Sequence, residues 1–131
     1  MLEEGGGRGK TRGARMMIWA DRAFVAFLTL GAVGHFLGSL TLLEPGSALQ
    51  VWSLSGVLCV ALIVAINALR WRRPGDVALA WIGGLGALAW VGVVIGFGAS
   101  LHNFADFRVV WHGAAAAGVA FFALRAALRV G

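Results

Sequence analysis

Charge is scarce in this sequence, and the scarcity is uneven. Only 13% of its 131 residues are Asp, Glu, Lys or Arg, while 60% are hydrophobic. A soluble domain carries about 25% charged and about 45–50% apolar residues. A soluble fold of this composition would have little polar surface to show to water. No acid or base lies deep within the three longest apolar runs. A small proton-coupled exporter needs a carboxylate in mid-span, so that class is disfavoured.

Other absences narrow the field further. There is one cysteine, Cys59. It excludes an intrachain disulfide and reads as a small buried apolar side chain. No HExxH, CxxC or nucleophile-elbow motif is present. Gly9-Lys10-Thr11 looks like the end of a phosphate-binding loop, but that motif needs glycine at position 4, where Glu4 stands. No cleavable signal peptide is expected: the first 22 residues are polar and basic, and the apolar run that follows is long for such a segment.

What remains is an apolar chain with punctuation. Four uncharged runs cover about 23–43, 47–69, 77–101 and 109–130, the last interrupted by Arg125. A bilayer core needs about 20 apolar residues per helix. The two prolines both stand in Pro-Gly pairs, Pro45-Gly46 and Pro74-Gly75, which mark turns. Connections this short force neighbouring helices to run antiparallel. The predicted fold is therefore all-α, an integral membrane four-helix bundle running up-down-up-down over 19–131. It is preceded by a disordered basic tail, 1–18, too polar to bury a core.

The net charge of +5 concentrates on one side of these spans. Arg8, Lys10, Arg12, Arg15 and Arg22 precede the first, and Arg70, Arg72 and Arg73 follow the second. Arg125 and Arg129 close the fourth, while the opposite side holds only Arg108. The positive-inside rule then places both termini in the cytoplasm, with a bacterial inner membrane as the expected setting. Anionic lipid explains the basic residues better than nucleic acid, which is not an expected partner. Trp19, Trp71 and Trp81 on one side and Trp52 and Trp111 on the other suit interfacial anchoring, and only Trp90 falls in mid-span. Asp21 and Arg22 read as solvated interfacial charges. Asn67 reads as a bond to a neighbouring helix.

Helices in lipid associate by close backbone approach at small residues. Gly31, Gly34, Gly38, Gly92, Gly96 and Gly118 are the predicted packing positions. They serve either seams within the bundle or an oligomer interface.

Few residues could carry chemistry. His35 lies about 12 Å inside the first span at 1.5 Å per residue, on the face of Gly31, Gly38 and Ser39. It could bind haem, a metal or a quinone, or it could be a neutral histidine bonded to a carbonyl or serine nearby. His102, Asp106 and His112 have the ligand types of a metal site, without the spacing of a known one. His35 and His112 are the only pair at matched depth for a bis-histidine haem. The leading expectation is a small membrane protein acting through helix packing, as an accessory or assembly subunit or a homo-oligomer, without a cofactor and without enzymatic activity. The alternatives are a haem-, metal- or quinone-binding redox subunit using His35 with His112 or His102, and a channel or transporter lined by His35.

Overall fold

The structure is a computed structural model. It describes the backbone of residues 6–130 and the side chains of residues 12–129. Four helices follow in order: α1 (Gly6–Leu42), α2 (Ala48–Arg72), α3 (Val77–Ser100) and α4 (Phe107–Val130). No strand occurs among the described residues. Each helix has a stretch long and apolar enough to cross a membrane, by length and composition: Arg12–Leu42, Ala48–Arg72, Val77–Ser100 and Phe107–Arg129. Helix α1 begins inside the segment 1–18 for which composition predicts a disordered tail; residues 1–5 lie outside the described residues. Extending a helix already anchored by its apolar part adds one hydrogen bond per residue without a new nucleus.

Local chemistry sets the boundaries. Ser47 caps α2 by accepting from the Gln50 amide at 3.2 Å, and Asp76 caps α3 by accepting from Leu79 at 3.1 Å. Gly46 has φ of 76°, a left-handed turn position that suits glycine. Helix α4 runs through Arg125 without a break.

The helices pack in a ring, α1 on α2, α2 on α3, α3 on α4 and α4 on α1. Residue numbers rise along one helix as they fall along its neighbour: Asp21 meets Arg70 at one end of α1 and α2, and Ser39 meets Ser53 near the other. The core is built from Leu28, Val60, Val119 and small residues such as Ala87, Ala116 and Ala123. Alanines and glycines let α3 and α4 approach closely. A Cβ on Gly84 would come within 2.7 Å of Leu124, and one on Gly118 would run into the Phe24 ring. Leu30, Trp52, Leu58, Leu85 and Phe121 point outward, an apolar surface that suits lipid.

Glycine use differs from the sequence expectation. Gly31 and Gly118 carry close contacts, but a Cβ on Gly34, Gly38, Gly92 or Gly96 would meet nothing within 4 Å. Close contacts also occur at Gly83, in the same span-three stripe, and at Gly84 and Gly98; their missing side chains admit Asn67, Leu124 and the Phe104–Val109 pair. The difference is one of face: periodicity finds stripes of small residues, but not which stripe meets a neighbour.

The Asp21 end corrects two further expectations. Asp21 is buried and accepts two hydrogen bonds from Arg70, at 2.8 and 2.9 Å, and one from the Trp71 indole at 3.0 Å. It is not a solvated surface charge. Asn67 is fully buried, donates to the Ile63 carbonyl at 2.9 Å and accepts from Arg70 Nε at 3.2 Å. Both partners belong to its own helix. Two adjacent helices hold this ion pair because a carboxylate buried without a partner would be prohibitive in an apolar bundle.

Candidate functional site

Toward the other end of the bundle, the four helices each supply one member of a closed circuit. Helix α1 supplies His35, α2 Ser53, α3 Trp90 and α4 His112. His35 Nε2 lies 2.9 Å from Ser53 Oγ. The His35 and His112 rings have centroids 6.3 Å apart at an interplanar angle of 75°. The Trp90 and His112 rings are also 6.3 Å apart, at 62°. Trp90 closes the circuit against α2, where a Cβ on Gly56 would stand 3.3 Å from the indole. Glycine makes room again at Gly31, where a Cβ would come within 2.9 Å of the His112 ring.

The hydrogen bonds around His35 assign its protons. Ser39 Oγ donates to the His35 carbonyl at 2.7 Å and also contacts Ser53 Oγ at 2.5 Å. A hydroxyl has one proton. All three contacts can be hydrogen bonds together only if Ser53 donates to Ser39 and His35 Nε2–H donates to Ser53. Neutral His35 is then the Nε2–H tautomer, and its Nδ1 is left as an acceptor. Gln50 steadies the group, donating from Nε2 to the Ser39 carbonyl at 3.1 Å and accepting from the Gly46 amide at 2.8 Å.

Two nitrogens in the circuit are left over. Trp90 Nε1 and His112 Nδ1 are buried and have no hydrogen-bond partner among the described residues. An unsatisfied buried polar group costs about 1–3 kcal/mol. Two such groups on neighbouring rings call for an explanation.

The circuit lines two adjoining cavities. One, of about 630 Å³, runs past Gly34, Gly38 and Ser39; the other, of about 430 Å³, runs past Gly56, Cys59 and Trp90. Both share His35, Ser53, Phe97, Arg108 and His112 as wall. The walls are mostly apolar, with a few polar groups, which is the make-up of a small-molecule pocket. Gly34 and Gly38 leave space for the larger cavity. Cys59 is exposed on the smaller one, where the sequence predicts burial.

Arg108 stands at the mouth of both cavities with its charge already matched. It binds Asp106 through Nε and Nη2, each at 2.9 Å, and its guanidinium lies 5.3 Å from the centre of the Phe97 ring. The Arg108 side chain, and then its backbone amide, hold the Asp106 carboxyl down at about 2. Asp106 is thereby spent on Arg108 and on starting α4.

The expected metal group is not assembled. Among the described residues no three His, Cys, Asp or Glu side chains come together to hold a metal ion. His102 is exposed and lines neither cavity. It has φ of 51°, donates its amide to the Ala99 carbonyl at 3.0 Å, and is followed by Asn103, whose amide bonds Gly98 at 3.1 Å. That is a Schellman ending for α3, with His102 where glycine is usual. His35 and His112, in contrast, are brought together.

Sequence reasoning missed Ser53, Trp90 and Arg108 as wall residues. For Trp90 a signal existed: it is the one tryptophan in mid-span, away from any interface that could satisfy its N–H. Two tryptophans assigned to anchoring also bond to a neighbouring helix, Trp71 to Asp21 and Trp111 to the Phe27 carbonyl at 2.9 Å.

No family model, curated protein or solved structure matches this chain.

Proposed function

We propose that this chain is a multi-pass membrane protein that holds a small amphipathic molecule in the His35–His112 cleft. The observation that carries this reading is the pair of adjoining, mostly apolar cavities that share His35, Ser53 and His112 as wall. The lopsided arginines support an orientation with both termini in the cytoplasm and the cleft in the opposite half of the membrane. The ligand then enters from lipid, and the surrounding bilayer is the first partner. A packing role as an accessory subunit or homo-oligomer has a narrower basis: Gly92 and Gly96 leave an open small-residue stripe on α3.

The test is mass spectrometry of small molecules that copurify with the protein in native-lipid discs. One amphipathic molecule should be enriched at near-equal amount over bulk lipid. Gly34→Leu, which fills the larger cavity without meeting a neighbour, should deplete it, as should His112→Phe. Bulk lipid alone, or enrichment indifferent to both variants, would sink the proposal.

A further inference from the structure

We infer that the arginine-rich end of α1 and α2 carries a site for an anionic phospholipid, its phosphate on Arg22 and an acyl chain in the groove between the two helices. The site is separate from the His35–His112 cleft.

Charge matching leaves Arg22 over. Three charged residues stand where the first uncharged run begins and the second ends: Asp21 and Arg22 on α1 and Arg70 on α2. Asp21 takes three hydrogen bonds, two from Arg70 and one from the Trp71 indole. The other ion pair among the described residues joins Asp106 to Arg108 at the far end. Arg22 is exposed and has no ion-pair partner among those residues.

The Arg22 side chain is nevertheless held. Its guanidinium carbon lies 5.8 Å from the centre of the Trp19 ring and 5.8 Å from that of Trp71 on α2. Cation–π contacts position a guanidinium without using up its five N–H donors. Trp71 is itself fixed by its bond to Asp21. The result is a positioned cation with donors to spare, the chemistry that takes a phosphate through forked hydrogen bonds.

The surface in line with Arg22 points to a lipid. An apolar groove of about 290 Å³ runs between α1 and α2, lined by Thr29, Val33 and Phe36 on one side and Val57, Ala61 and Val64 on the other. At 3.6 residues per turn, Arg22, Thr29, Val33 and Phe36 share one face of α1, and Trp71, Val64 and Val57 share one face of α2. Arg22 and Trp71 thus stand above the groove, at the edge of the apolar zone, where phospholipid head groups lie. Basic pockets between spanning helices at this level suit anionic head groups. An acidic protein segment would answer the charge and leave the groove beneath it empty.

The experiment is native mass spectrometry of the full-length protein in detergent. It is titrated with dioleoyl-phosphatidylglycerol and, separately, with dioleoyl-phosphatidylcholine, whose choline cancels the phosphate charge. Wild type should form a one-to-one phosphatidylglycerol adduct at concentrations where phosphatidylcholine gives none. Arg22→Gln should weaken that adduct about fivefold, the effect of one cation beside an anionic lipid surface. Ala61→Phe, which fills the groove from an exposed position, should weaken it too. Arg12→Gln removes the same charge about 15 Å away along α1, beyond the screening length, and should change affinity less than about twofold. Should Arg22→Gln fail to fold, Trp19→Ala serves in its place: it keeps every charge and should weaken the adduct about twofold by freeing the guanidinium. Equal binding of the two lipids, equal losses in Arg22→Gln and Arg12→Gln, or full affinity in Ala61→Phe or Trp19→Ala would each overturn the inference. Glycerol 3-phosphate bound as tightly as phosphatidylglycerol would assign Arg22 to a water-soluble phosphate and overturn it too.

Discussion

Asp21 and Arg70 are joined across α1 and α2 by two hydrogen bonds, although their sequence positions read as ordinary flanking charges. The pair is buried, the Trp71 indole adds a third bond to the carboxylate, and Asn67 holds the guanidinium from behind. It closes one end of the bundle, opposite the cleft.

Removing one partner should therefore be severe. Arg70→Met leaves the Asp21 carboxylate buried and unpaired, which costs about 3–5 kcal/mol. Replacing both, Asp21→Leu with Arg70→Met, should restore most of that loss. Unfolding in mixed detergent measures each. Equal damage in the single and the double variant would show that the loss does not come from an unpaired buried carboxylate.

Gly118 and Gly92 should separate by context. A side chain at Gly118 meets the Phe24 ring, whereas one at Gly92 meets nothing. Gly118→Val should destabilise the bundle by about 1–3 kcal/mol. Gly92→Val should leave the monomer's stability near wild type. The same unfolding assay decides it, and a large loss at Gly92 would place a neighbouring helix on that face.

His102→Gly should stabilise the protein. A left-handed conformation costs an L-residue about 1–2 kcal/mol, and glycine is relieved of it at some loss to the greater freedom of its unfolded chain. A gain of about 1 kcal/mol is expected, with ligand occupancy of the cleft unchanged. Loss of occupancy would return His102 to the list of binding residues.

Asp106 should stay ionised through all ordinary conditions, because Arg108 holds its carboxyl down at about 2. The folded value lies below that of the free side chain, about 3.9. Its contribution to stability is thus fully present above pH 4 and is lost as pH falls through about 2. NMR titration of the Asp106 carboxyl should find the low midpoint. In Asp106→Asn this component of acid sensitivity should disappear.

Reporter fusions after Arg73 and at the C-terminus should both read out in the cytoplasm, and a fusion at Gly46 should read out on the other side. A non-cytoplasmic readout after Arg73 would invert the proposed orientation.

The helices and their turns were legible because they depend on short-range facts. Runs without charge must avoid water, and Pro45-Gly46 and Pro74-Gly75 interrupt them. His35 and His112 were legible as a pair because depth along two spans can be counted from residue numbers. Trp90 and Ser53 were not, because counting gives depth without giving rotation. Whether a side chain on α2 or α3 faces the centre depends on which neighbour each helix packs against.

By itself, the sequence determined four apolar helices, their order and the charge asymmetry of their ends. It did so because a backbone in lipid must satisfy its own hydrogen bonds, which leaves a long apolar run only the helix. Only the tertiary structure decided that Asp21 is buried against Arg70, that His102 ends a helix, and that Trp90 and His112 are neighbours with two unsatisfied nitrogens. Those outcomes depend on helix rotation, and rotation is set by the close approach of particular small residues, Gly31, Gly84, Gly98 and Gly118, to particular partners.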